Sequence, residues 1–221
     1  MPTSVRSMST TDWCSASMLV IGITGPIAAG KSTVDAMLRE LGADPVIDAD
    51  AVVHDLYASS TALQEAIAAA FGPEVRRADG GIDRRALGAR VFGKPAALRQ
   101  LQDIVYPATR AAVRERLASA RPDAAAVIDA VKLLEGELAP LCTERWWITA
   151  DPAVQRRRLM DERGLAPEEA DARLVSQPRL EDWRHLIDRV IDNTGSLDET
   201  RRQVREAWND LLSRHGPRRQ A

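Results

Sequence analysis

The sequence predicts an α/β fold: a five-stranded parallel sheet flanked by helices, with a helical insertion and a charged helical lid. Three observations lead there. Five short apolar segments rich in β-branched residues alternate with helical patterns, as in a parallel sheet built from crossover units. The first segment runs through a glycine-rich loop into a helix, the context in which such a loop holds phosphate. The second and third are separated by about 75 residues of mostly helical pattern, too many for a simple crossover, which places an insertion at roughly 61–120.

The first segment, MLVIGIT (18–24), is continuously apolar, as a strand buried on both faces should be. The loop that follows fits G-x-x-x-x-G-K-[ST] at Gly25, Gly30, Lys31 and Ser32. The glycines permit backbone geometries that a Cβ blocks, and successive amides then converge at a helix N-terminus, where partial positive charge gathers. The amides of Ala28, Ala29, Gly30, Lys31, Ser32 and Thr33 are expected to form the cradle, so the N–H missing at Pro26 is tolerated. Lys31 adds a full charge near the β- and γ-phosphates, and the Ser32 hydroxyl is placed to ligate Mg²⁺. The helix KSTVDAMLRELG carries apolar residues at Val34, Met37, Leu38 and Leu41 and stops at Gly42.

The second segment, DPVIDA (44–49), brings Asp48 and Asp50 to the end of a strand, where ligands bind in open α/β sheets. One can accept the proton of an attacking hydroxyl, and the other can cap the helix ADAVVHDLY; while the chain stays extended the two point in opposite directions. His54, one helical turn after Asp50, reads first as a structural histidine. The third segment, AAAVIDA (124–130), closes on Asp129, which suits either a Mg²⁺ ligand, direct or through water, or a strand-end cap. After the fourth segment, RWWITA (145–150), a stretch over 152–180 carries Arg156, Arg157, Arg158, Arg163, Arg173 and Arg179. Most of these alternate with acids on solvated helix faces; one or two on a mobile lid (about 155–180) would meet the charge that develops in phosphoryl transfer. The fifth segment is RVIDN (189–193).

The bulk properties exclude several classes. The 221 residues are 45% apolar and 28% charged, enough for one core, and a net charge of −2 gives no nucleic-acid footprint. Cys14 and Cys142 are far apart and lack metal-ligand spacing, so a reducing cytoplasm is the simplest setting. No apolar run approaches membrane-spanning length. Residues 1–17 are polar, lack the apolar core of a signal peptide and read as a disordered extension, with Met18 as an alternative start; 213–221 read as a flexible tail. The kinase core is expected over 18–60 and 121–212.

Over most of 18–212 the chain resembles the dephospho-coenzyme A kinase family. GITGPIAAGKSTV resembles the family's GLTGGIGSGKSTV, and LGADPVIDAD its second strand. FGPEVRRADGGIDRRALGARVF resembles FG…DG.LDR..L...VF, IVYPATR the I.HP turn, and VIDAVKLLEGE the segment VLD.PLLFE. DPAVQRRRLMDERGLAPEEADARLVSQ and RVIDNTGSLDETRRQV resemble the lid and C-terminal motifs, and DGGIDRRALGARVF with RVIDNTGSLDETRRQV is the most specific combination. The resemblance implies a P-loop kinase with ATP and Mg²⁺, transferring phosphate to the ribose 3′-hydroxyl of dephospho-CoA. It implies Asp50 as base, Lys31 and Arg163 as the charges on the transferring group, and Asn193 and Gly195 beside the adenine. The insertion would bind CoA, with Asp50, His54, Arg84, Tyr106 and Lys132 on the acceptor side. The chain departs from the family at Tyr106, where His is usual; at His54, where Arg is common; at Lys132, which replaces an apolar residue after Val131, where Pro is usual; and in the lid, where ERG with Arg163 stands for RDG. Another small-molecule or nucleoside monophosphate kinase, or a nucleotide switch without transfer, would share the loop and differ at the acceptor site.

Overall fold

The computed structural model describes residues 18–121 and 124–216. The expected extension at 1–17, with Cys14, and the final residues 217–221 lie outside the described residues. The sheet has five parallel strands, β1 (Leu19–Thr24), β2 (Val46–Asp48), β3 (Ala125–Asp129), β4 (Glu144–Thr149) and β5 (Arg189–Asp192), in the order β2-β3-β1-β4-β5. β1 is central and buried throughout because both faces are covered. Leu19, Ile21 and Ile23 pack on one face against α1 (Lys31–Glu40) and α9 (Leu197–His215) through Val34, Leu38, Val204 and Leu211. Val20 faces the other way, with Ile47, Ile128, Val113 and Leu117. The chain leaves β1 toward β2 on one side and reaches β4 on the other, so the carboxyl end of β1 sits at the switch point where such sheets bind ligands.

Between β2 and β3 run α2 (Ala49–Ser59), α3 (Thr61–Phe71), α4 (Arg84–Val91) and α5 (Pro95–Ala118). α2 has two apolar faces. Ala49 and Val52 join the sheet-side cluster, while Val53 and Tyr57 pack on a separate cluster of Leu63, Ile67, Phe71, Val75, Ile82, Leu87, Leu101 and Val105. After β4 come α6 (Pro152–Arg163), α7 (Pro167–Val175) and the short α8 (Leu180–Trp183).

Three local expectations change. β2 ends at Asp48 and α2 begins at Ala49, so the chain is not extended through Asp50 and strand alternation does not orient that residue. IVYPATR is not a turn: α5 continues through Pro107, and burial of Leu101, Val105, Thr109, Val113 and Leu117 along one side holds the helix together across the missing N–H. α9 runs to His215, three residues past the expected end of the core.

Candidate active site

At the carboxyl edge of the sheet, Asp48 of β2 pairs in register with Asp129 of β3, which pairs with Ile23 of β1. This places two acids beside the glycine loop. Gly25 sits at φ 149°, and a Cβ there would run into the Ile148 carbonyl; Gly30 sits at φ 95°, and Ala28 at φ 57°. Of the expected cradle amides, Ala29 N donates to Pro26 O at 3.3 Å and Thr33 N to Gly30 O at 3.1 Å, so those two are engaged within the protein. Lys31 and Ser32 open α1, whose first amides have no intrahelical acceptor. The loop lines a cavity of about 400 Å³ with Lys31, Ser32, Asp129, Arg158, Arg163 and Asn193.

Asp48 and Asp50 separate into two jobs. Asp48 is the N-cap of α2: its Oδ1 accepts from Asp50 N at 2.9 Å and Ala51 N at 3.0 Å. Asp50, in the first turn, lines two further cavities. One, of about 100 Å³, lies against Tyr106 and Lys132; the other, of about 490 Å³, against His54, Tyr57 and Arg84. Desolvation by these walls and the Asp48 charge push the Asp50 carboxyl up, and Lys31 and Arg84 pull it back. It is thus a carboxyl shared by two clefts, within reach of the Lys31 charge at the loop cavity, with its basicity raised.

The dephospho-CoA kinase family model matches residues 19–199, most of the chain. The chain belongs to the dephospho-CoA kinase family. A dephospho-CoA kinase from Symbiobacterium thermophilum is 47% identical over 90% of this chain and 84% of its own length. A Thermus thermophilus crystal structure superposes with TM-score 0.72 and 33% identity, covering 90% of this chain and 99% of that one. A dephospho-CoA kinase from Campylobacter jejuni superposes with TM-score 0.54 and 25% identity, over 87% and 96%.

Three of the four departures from the dephospho-CoA kinase pattern share a cleft with Asp50. Tyr106 and Lys132 share the small cavity; the Tyr106 hydroxyl accepts from Gln102 Nε2 at 2.9 Å, and Lys132 pairs with Glu135 at 3.0 Å. His54 Nδ1 lies 3.4 Å from Arg84 Nη1 in the larger cleft. Arg163 reaches the loop cavity, as does Arg158, which the sequence could not tell from its neighbours. Asn193 also lines it, but its side-chain amide is spent on Ala29 O and Thr200 Oγ1. Gly195 is not among the lining residues; it precedes the Ser196 cap of α9, where a Cβ would meet the Glu199 carboxylate.

The donor set fits Mg²⁺. The Ser32 hydroxyl and Asp129 line one cavity, and Asp129 Oδ1 is buried with no hydrogen-bond partner, so an oxygen ligand stands ready. Among the described residues no group of three or more His, Cys, Asp or Glu could hold a metal, so phosphate and water oxygens would complete the shell.

Asp35 is the residue the sequence reading passes over. It lies one turn beyond Lys31 on α1, 6% exposed, close to Asp129, and its Oδ1 has no hydrogen-bond partner. Burial first, then the Asp129 charge, raise its pKa to about 8. Burial raises Asp129 as well, while Lys31 lowers it. An acid whose folded pKa lies above its unfolded value holds extra protons in the folded state between about pH 4 and pH 8. Its contribution therefore falls as pH rises through that window. Asp35→Asn keeps the shape of the side chain and has no proton to lose. The variant should gain stability relative to the parent as pH rises toward 8, with the gap closing toward pH 4. Denaturant midpoints at pH 5 and pH 8 check this; a pH-independent gap would contradict it.

Proposed function

We propose that the chain transfers the γ-phosphoryl group of ATP to the ribose 3′-hydroxyl of dephospho-CoA, giving CoA and ADP as the last step of coenzyme A biosynthesis. The observation that carries this reading is the place of Asp50, in the two clefts lined by the insertion and the β3–β4 loop and within reach of the charge of Lys31, which lines the loop cavity. Asp50 accepts the 3′-hydroxyl proton as that oxygen bonds to the γ-phosphorus and the bond to the β-bridging oxygen breaks. Lys31 and Arg163 stand where the charge on the transferring group is neutralised. Bound Mg²⁺, held by Ser32 and Asp129, would neutralise charge on the β- and γ-phosphates. The 61–120 helices, with His54, Arg84, Tyr106 and Lys132, hold the acceptor, and α6–α7 act as the lid that excludes water. Because such transition states are loose, positioning counts for more than base strength.

No helix among the described residues is long and apolar enough to cross a membrane, and the reading places the enzyme in the cytoplasm. An ATP-coupled assay with dephospho-CoA, run beside nucleosides, nucleoside monophosphates and small alcohols, tests the proposal. Turnover should be confined to dephospho-CoA. Preference for another acceptor would make the chain a different small-molecule kinase, and ATP binding without transfer to any acceptor would make it a switch.

A further inference from the structure

The glycine loop is held at its backbone carbonyls by two side chains distant in sequence. Arg158 Nη1 donates to Ala28 O at 3.1 Å and to Ala29 O at 3.3 Å, and its Nη2 donates to Asn193 O at 2.9 Å. Asn193 Nδ2 donates to the same Ala29 O at 2.9 Å. Asn193 is 2% exposed, and Thr200 Oγ1 donates to its Oδ1 at 2.9 Å, which fixes which end of the amide faces the loop. The Ala29 carbonyl is therefore held by two donors. In a trans peptide the N–H of the next residue points opposite to that carbonyl. Pinning Ala29 O thus fixes the orientation of the Gly30 N–H, directly before the N-terminus of α1. Gly30 suits this twice: its φ of 95° is open to glycine, and a Cβ there would collide with the Asn193 amide. From the far end of the α6–α7 arm, Gln177 Oε1 accepts from Ile27 N at 3.0 Å, so the arm grips the loop at a second point.

We infer that Arg158, with Asn193, is a positioning residue that sets the loop in its phosphate-receiving shape and couples that shape to the α6–α7 arm. Both arginines line the loop cavity, but both Nη groups of Arg158 are spent on backbone carbonyls, whereas Arg163 stands at the C-terminal end of the same helix. The two arginines divide the labour: Arg158 shapes the cradle and Arg163 meets the transferring group. Because the grip acts on the backbone of the loop, its loss should weaken binding of any ligand that uses the loop amides, with or without a γ-phosphate or a base.

The inference rests on the loop being the ATP site. The test measures binding of MgATP, MgADP and magnesium pyrophosphate to the wild type, Arg158→Ala, Arg158→Lys and Arg163→Ala, with KM for dephospho-CoA alongside. Arg158→Ala should weaken all three ligands about tenfold and leave the acceptor KM within about twofold. Arg158→Lys should recover only part of the loss, since an ammonium lacks the planar fork that spans three carbonyls; if the alanine variant does not fold, the lysine variant carries the test. Arg163→Ala should lower kcat and leave ADP and pyrophosphate affinity near wild type. Loss of ATP affinity with ADP unchanged would make Arg158 a γ-phosphate ligand and overturn the inference. Loss for both nucleotides with pyrophosphate unchanged would make it a base contact, and a parallel rise in acceptor KM would make it a general structural element; either overturns it. Failure of the wild type itself to bind ADP or pyrophosphate would overturn the loop assignment instead.

Discussion

Asp50→Asn should lower phosphoryl transfer to dephospho-CoA by roughly 10²–10⁴ at saturating ATP and acceptor, the range for losing a positioned general base. The substitution keeps the shape of the side chain and removes its charge. ATP affinity should change little, because the phosphates are held by the loop on the other side of the transferring group. Asp48→Asn is the informative control. Asn caps helices about as well as Asp, so its stability cost should be about 1 kcal/mol or less. It does have a second effect. The Asp48 charge helps raise the Asp50 carboxyl, so its removal should move the acid limb of kcat/KM to lower pH without abolishing turnover. Single-turnover transfer across pH for both variants checks this. A slow Asp48→Asn beside a near-wild-type Asp50→Asn would reverse the two roles, and near-wild-type rates for both would mean that transfer needs no base here.

Lys31→Ala should reduce turnover by about 10² or more, the loss expected when a charge aimed at the transferring phosphoryl group is removed. The fold should persist, since the lysine stands at a cavity mouth and not in a core cluster. Lys31→Met isolates the charge by keeping most of the stem. Lys31 also lowers the proton affinity of Asp50 and Asp129, so the residual activity of Lys31→Met should have its acid limb displaced to higher pH. Rates and pH profiles with circular dichroism of the variants measure both effects; near-wild-type turnover would remove the loop from the mechanism.

The run from β1 through the loop to α1 was legible because each residue there answers to one local rule: a doubly buried strand, two glycines with positive φ, a lysine and hydroxyl at a helix start. The five strands were legible for a similar reason, being short apolar runs with few alternatives. Asp48 and Asp50 were ambiguous because the helix begins between them, and helix starts are set by capping geometry that a two-residue pattern does not encode. The arginines of 152–180 could not be ranked, since six cations at helical spacings look alike until tertiary structure lays one against the loop. Only the resemblance to the family's I.HP turn sets Tyr106 beside a turn, and the buried stripe of α5 carries the helix through Pro107 despite its missing N–H. Asp35 did leave a trace. It falls three residues before Leu38 and four after Lys31, so it shares a helix face with one core residue and with the phosphate lysine.

The two-faced helix α2 has a consequence for modular exchange. Its sheet-side residues Ala49 and Val52 belong to the nucleotide-binding half, its Val53 and Tyr57 to the cluster beneath α3–α5, and Asp50 lies at its start. The seam between the two halves is therefore not the loop after α2 but the helix itself. A transplant of residues 61–118 from a relative with another acceptor would leave Val53 and Tyr57 facing a surface shaped for different neighbours. A transplant of residues 49–118 would bring a matched face on one side and the proposed base Asp50 with it, leaving Ala49, Val52, Leu56, Val113 and Leu117 to reconcile with the host sheet. If Asp50 is the base, a change of acceptor made by such an exchange carries the base along with the pocket it serves.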